Sequence, residues 1–147
     1  MGDYTDDGRT YHVGACENGF CKGCAQAPVR PVPTQREVYE LAVNKGWHEQ
    51  HARLTTFLIA NHAHPDLIKH ARATWLAARL ALIHAEVSEA LEEVRKGHGL
   101  HFGDELADVA LRLKDLAEDT SVDLEQAQAE KHAFNATRTH RHGGKAL

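Results

Sequence analysis

The sequence predicts an all-α protein, an antiparallel helical bundle that follows an irregular N-terminal arm. After residue 34, apolar residues recur at steps of three or four over long stretches, which is the period of an amphipathic helix. Residues that favour helix ends lie between these stretches. No segment alternates polar and apolar residues for long enough to predict a sheet. We therefore expect helices packed against helices.

The N-terminal arm, residues 1–33, is polar and contains three of the four prolines of the chain. Its three cysteines and one histidine predict a structural zinc site, because thiolate and imidazole ligands suit a tetrahedral zinc ion. The alternative is three reduced thiols in a loop. A helical domain, residues 34–147, follows the arm. The candidate zinc ligands are His12, Cys16, Cys21 and Cys24.

The first helix is predicted to begin at Thr34, which forms a capping-box pattern with Glu37, and to end near Lys45. Trp47 follows this helix directly. Its ring is suited either to stack on a nucleobase or to fill a gap in the core. The segment 48–64 predicts only one or two helical turns.

Three longer helices are predicted over residues 66–96, 104–119 and 124–137, the last of them capped by Asp123. The first of the three has more apolar and alanine-rich surface than one short neighbour can cover. A second subunit is expected to bury this surface, which predicts a homodimer or a homotetramer. The alanines of this surface are Ala73, Ala77, Ala78, Ala81 and Ala85.

Two pairs of acidic residues, Glu86 with Glu89 and Glu105 with Asp108, are spaced at i and i+3. Each pair therefore lies on one face of its helix. On a helical wheel, each pair borders an apolar stripe at a similar offset, so we expect the pairs to converge beside a shared core. The two predicted core stripes are Ile83, Val87, Leu91 and Val94 on the first helix, and Leu106, Val109, Leu113 and Leu116 on the second.

Four converging carboxylates repel one another and lose hydration, so the arrangement is costly without a cation. Mg²⁺, with Mn²⁺ as an alternative, suits such oxygen ligands. The predicted metal ligands are thus Glu86, Glu89, Glu105 and Asp108, and the candidate catalytic proton acceptors are Glu89 and Glu93. The simpler interpretation is that each pair lies on a solvated acidic face.

Charge is unevenly distributed along the chain. Residues 84–130 hold thirteen of the twenty-one acidic residues, whereas residues 131–147 hold four Lys and Arg residues and no acid. This pattern predicts an acidic metal site and a basic segment that binds an anionic substrate, and it argues against nucleic-acid binding. The alternative for the basic segment is a solubilising end. The candidate substrate-binding residues are Lys131, Asn135, Arg138, Arg141 and Lys145, together with Trp47.

Together, the two acid pairs, the spacing of Lys131, Asn135 and Arg138, and the ending from Arg141 to Lys145 resemble the MazG-type all-α nucleoside triphosphate pyrophosphohydrolases. The similarity covers roughly residues 34–145 and is greatest to short phage and bacterial members. It implies a helical dimer or tetramer, Mg²⁺, and cleavage of a nucleoside or deoxynucleoside triphosphate to the monophosphate and pyrophosphate. Ala85 stands where many members have a further acid, and the arm lies outside the family pattern.

Two other functions fit the same residues. A phosphoribosyl-ATP pyrophosphohydrolase would share the acids, and a catalytically idle helical module would use the arm to bind a partner. No apolar run approaches the length of a membrane span, and the odd number of cysteines suits a reducing compartment. The expected location is therefore the cytoplasm, or the host cytoplasm if the protein is phage-encoded.

Overall fold

The N-terminal segment contains a β-hairpin, where the sequence predicted an irregular arm. The structure, a computed structural model, describes residues 2–6, 9–13, 31–97 and 101–138. Strands β1 (Gly2–Asp6) and β2 (Arg9–Val13) pair antiparallel. The signal for this hairpin was Asp7-Gly8 between two segments rich in Tyr and Thr, a short pattern typical of hairpins. Of the candidate zinc ligands, His12 belongs to β2, and Cys16, Cys21 and Cys24 lie outside the described residues.

The chain divides into two compact units, residues 1–32 and 33–147. The described part of the second unit is all-α, which confirms the predicted fold class. The segment 48–64, for which only one or two turns were expected, forms a helix of 12 residues. None of the helices in the described ranges has an apolar run long enough to cross a membrane. The helices are α1 (Gln35–Asn44), α2 (Glu49–Ala60), α3 (Pro65–Lys96), α4 (Phe102–Asp119) and α5 (Leu124–Ala136).

Local sequence signals account for the ends of these helices. Thr34 forms the predicted capping box with Glu37, accepting a hydrogen bond from the Glu37 backbone N–H while its own N–H donates to the Glu37 carboxylate. Asp123 accepts a hydrogen bond from the backbone N–H of Gln126 at the start of α5, as predicted. Gly97 ends α3 with a φ of 80°, a left-handed conformation that glycine adopts without strain.

Helices α3 and α4 pack against each other more extensively than any other pair of helices, and α4 also packs on α1. Contacts that lie later along α3 involve residues that lie earlier along α4, so the two helices run antiparallel. In order along α3, the side chains of four residues contact the paired residues of α4 or its N-cap: Arg72 with Asp119, Arg79 with Asp115, Glu86 with Arg112, and Glu93 with His101.

The seam between α3 and α4 is polar, which corrects the predicted position of the core. The buried residues of α3 are Arg79, Glu86, Ala90 and Glu93. The predicted core stripe faces outward instead, since Val87, Leu91 and Val94 are 50%, 57% and 59% exposed. On α4, Leu106 and Leu113 of the second stripe are also exposed. The reason is that α3 has an apolar and a charged face, and charge pairing across the seam makes the charged face the one that meets α4.

Little apolar side-chain volume is buried within one chain. Among the described residues, the buried apolar side chains are Ala42, Leu58, Ala90 and Ala117, of which only Leu58 is larger than alanine. The five alanines named above are exposed along α3. A helix with a broad exposed apolar face gains stability by burying it against another subunit.

We expect the protein to form a homo-oligomer through this face of α3. Light scattering at micromolar concentration should give at least twice the chain mass of 16.3 kDa. Leu91→Glu should reduce the mass towards that of one chain, because a charge cannot be buried there without a partner. Arg53→Glu, a change on the exposed surface of α2, should leave the oligomer intact. A wild-type mass near that of one chain would exclude the interface.

Candidate metal centre

Three carboxylates converge at the middle of the α3–α4 seam. Glu86 of α3 meets Glu105 and Asp108 of α4, and one oxygen from each lies within 4.8 Å of the others. Glu86 is buried, with 6% of its surface exposed, whereas Asp108 is exposed. We call these three residues the acid triad. The triad arises because the antiparallel packing sets the C-terminal half of α3 beside the first two turns of α4.

The electrostatics of the acid triad favour a bound cation. Burial, followed by repulsion from Glu89 and Asp108, raises the pKa of the Glu105 carboxyl. The ligand atoms that the triad offers are all carboxylate oxygens, so the donor set fits a hard divalent cation such as Mg²⁺ or Mn²⁺. The residues present therefore fit the predicted metal.

The other two candidate acids have different surroundings. Glu89 is exposed and does not belong to the triad, although it is near enough to raise the pKa of Glu105. Glu93 is buried and accepts hydrogen bonds from Lys96 Nζ (2.5 Å) and from the backbone N–H of His101 (3.2 Å). These bonds lower the pKa of Glu93, and the bond from Lys96 has the larger effect. Glu93 thus joins the end of α3 to the start of α4, and Glu89 is the acid more available to accept a proton.

A cavity of about 690 Å³ adjoins the acid triad. Asp108 and Arg112 form part of its wall, and Trp47 and Trp75 contribute aromatic surface. Its volume falls within the range of about 300–1,000 Å³ that is typical of small-molecule sites. Trp47 is 59% exposed and lines this cavity, so its ring does not fill a gap in the core. The cavity lining thus combines charged side chains with flat aromatic rings.

A buried cluster of charged and aromatic residues lies next to the cavity. Asp115 is at its centre, bonded through one carboxylate oxygen to His48 Nε2 (2.8 Å) and through the other to Arg79. Asp119 accepts hydrogen bonds from Arg72 (2.8 Å) and from Trp75 Nε1 (3.1 Å). All these side chains are buried or partly buried. The cluster fixes the ring of Trp75, over which the guanidinium of Arg79 lies at 5.3 Å.

The sequence analysis missed this cluster, although a signal for it was present. Charged residues recur every seven positions along α3, at Arg72, Arg79, Glu86 and Glu93. A seven-residue repeat keeps residues on one face of a helix, and polar residues facing a partner helix are expected to pair. The repeat therefore marks the charged face as the packed one.

The stability of the protein is expected to fall as the pH drops below about 6.5. Burial, followed by repulsion from Arg79, lowers the pKa of His48, and burial followed by repulsion from Arg72 lowers that of His51. The unfolded chain then binds protons first as the pH falls, which favours unfolding by at most about 1.4 kcal/mol per pH unit and group. Urea unfolding at about pH 7.5, 6.5 and 5.5 measures this slope, because these values bracket the ordinary histidine pKa. His48→Gln should reduce the slope, whereas the exposed change His70→Gln should not.

The three described candidates of the C-terminal segment, Lys131, Asn135 and Arg138, form no hydrogen bond or ion pair with the acid triad within one chain. Lys131, Asn135 and Arg138 are exposed on α5 or just beyond it, and α5 shares few contacts with the other helices. Lys131 Nζ lies 5.2 Å from the ring of Phe134 on the same helix. Arg141 and Lys145 lie outside the described residues.

The chain was compared with protein-family models, with curated proteins and with solved structures, and no match was found. Three converging carboxylates can hold a divalent cation, and the adjoining cavity can hold a flat apolar ring next to that cation.

Proposed function

We propose that the protein is a Mg²⁺-dependent nucleotide pyrophosphohydrolase, which cleaves a nucleoside or deoxynucleoside triphosphate to the monophosphate and pyrophosphate. The observation that carries this proposal is the acid triad at the wall of a cavity that also contains two tryptophans. Carboxylates that hold Mg²⁺ are the usual protein contribution to sites that cleave phosphoanhydrides. The resemblance to the MazG-type enzymes points to the same reaction.

The residues of the site have separate tasks in this reaction. Glu86, Glu105 and Asp108 would hold Mg²⁺, which would neutralise phosphate charge and make a water molecule more acidic. Glu89, exposed beside the triad, accepts the proton of the attacking water. Trp47 offers a face on which the base stacks.

A pyrophosphate-release assay across the standard nucleoside and deoxynucleoside triphosphates tests this function. Release from at least one of them, lost on adding excess chelator, is the expected result. Release from phosphoribosyl-ATP alone would indicate the related enzyme of that specificity. No release from any substrate would favour a catalytically idle helical module. We propose that the activity is cytoplasmic. The zinc site of the N-terminal arm stays a prediction.

The C-terminal segment is proposed to bind the phosphates, from the same chain or from another copy in the oligomer. Lys131→Ala should lower kcat/KM at least about tenfold, which corresponds to about 1.4 kcal/mol. Truncation after Arg138 should weaken nucleotide binding. The matched control is Lys69→Ala, which removes an exposed lysine from the first turns of α3. Unchanged nucleotide affinity by calorimetry in both variants would place the phosphate contacts on other cations.

A further inference from the structure

Arg112 is the cationic side chain that hydrogen-bonds to the acid triad among the described residues. It lies one helical turn after Asp108, and its Nε donates to Glu86 Oε1 at 2.5 Å. One of its terminal nitrogens also contacts the same oxygen. The Arg112 side chain is 33% exposed, and it lines the cavity together with Asp108. Arg112 therefore contacts the acid triad and also lines the space that a ligand would occupy.

The contact with Glu86 has a cost for metal binding. A buried carboxylate without a counter-charge is strongly unfavourable, and Arg112 supplies the counter-charge for Glu86. A divalent cation at the triad needs the same carboxylate as a ligand. Arg112 and the cation therefore compete for Glu86, and this competition lowers the metal affinity of the site when no nucleotide is present.

We propose that Arg112 couples metal binding to nucleotide binding. It pairs with Glu86 when the cavity is empty, and it pairs with a phosphate group when a nucleotide occupies the cavity. A guanidinium suits both partners, because its fixed fork of donors fits carboxylate and phosphate oxygens equally well. The inference rests on the proposed function, since it takes the metal and the nucleotide from it.

Coupling of this kind is reciprocal: a phosphate ligand that draws Arg112 away from Glu86 raises metal affinity, and the metal raises phosphate affinity by the same factor. The predicted signature is therefore a gain in metal affinity on removing Arg112, together with a loss of phosphate affinity. A residue with a purely structural role would not change the two affinities in opposite directions.

The test is a titration of Mn²⁺ into the full chain. The paramagnetic signal of free Mn²⁺ measures how much of the ion is bound. The probe of the phosphate contact is methyl phosphate, which carries no base and chelates Mn²⁺ weakly. Arg112→Met should bind Mn²⁺ about tenfold more tightly than wild type in the absence of methyl phosphate. Methyl phosphate should increase Mn²⁺ affinity in wild type and not in Arg112→Met. Arg112→Lys keeps the charge and loses the paired donors of the guanidinium. Its Mn²⁺ affinity should lie between those of wild type and Arg112→Met.

Arg95→Met is the matched control, because it removes one positive charge from an exposed pair on α3. Its Mn²⁺ affinity should equal that of wild type. Circular dichroism verifies folding, and Arg112→Lys alone carries the test if Arg112→Met does not fold. Equal Mn²⁺ affinities in wild type and the Arg112 variants would overturn the inference and leave the proposed function intact. Failure of every variant, wild type included, to bind Mn²⁺ would overturn both.

Discussion

Replacing Asp108 by asparagine is expected to abolish pyrophosphate release while the helices remain folded. Asp108 is one of three acids whose oxygens converge, and it is the triad member on the cavity wall. Loss of a residue that only hydrogen-bonds to a metal ligand commonly lowers metal affinity or activity about 10–100-fold. Loss of a direct ligand should therefore lower turnover by at least about 100-fold. Glu89→Gln should have a similar effect if Glu89 accepts the proton. The measurement is the steady-state rate, with circular dichroism as the test of folding.

The same variant should show the opposite effect on stability without metal. Asparagine removes one charge from a repulsive cluster, so Asp108→Asn should melt at or above the wild-type temperature in chelator. Mg²⁺ should raise the melting temperature of the wild type only, because a ligand stabilises the state that binds it. Glu92→Gln, an exposed change beside Arg95 on α3, should behave as wild type in both experiments. Wild-type turnover in excess chelator would refute the metal site.

Asp115→Ala is expected to be the most destabilising single change in the described helices. Asp115 is 3% exposed and is the partner of both Arg79 and His48. Its removal leaves a buried guanidinium without a counter-charge, which typically costs 3–5 kcal/mol. Urea unfolding should show this loss, and the melting temperature should fall by more than about 12 °C for a domain of this size.

An exposed ion pair provides the contrast. Arg53 pairs with Glu49 on the surface of α2, and Arg53→Ala should cost no more than about 1 kcal/mol. The double variant Arg79→Leu with Asp115→Leu should recover part of the loss, because it removes the unpaired charge along with its partner. A loss below about 1 kcal/mol in Asp115→Ala would show that water reaches Arg79 and that the cluster does not hold the helices together.

The helix ends and the shared face of each acid pair could be predicted because their signals are local. The Thr34 capping box, the Asp123 cap and the glycine after Lys96 each act within a few residues. Residues three apart on a helix share a face, so Glu105 and Asp108 had to lie together. Convergence of all four acids was predicted from apolar stripes that the structure places outside the seam, and Glu89 is not among the three acids that converge.

The sequence did not reveal which face of α3 meets α4. The apolar stripe through Leu91 and the charged face through Glu86 are both continuous, and the choice between them depends on partners at distant positions. Arg79 and Asp115 are 36 residues apart in the sequence and meet only after the helices pack. An apolar stripe looks the same in the sequence whether a second subunit or another helix of the same chain covers it.

The charged seam also determines how far α4 can slide along α3. In the observed alignment, three arginines of the seam, Arg72, Arg79 and Arg112, each meet an anion of the other helix. A shift of α4 by one helical turn in one direction would bring Arg79 away from Asp115 and towards Arg112, so two like charges would meet. Sliding in that direction is therefore opposed by repulsion, which interchangeable apolar side chains cannot supply. The charges that exclude a slipped bundle thus also fix the spacing of the three carboxylates.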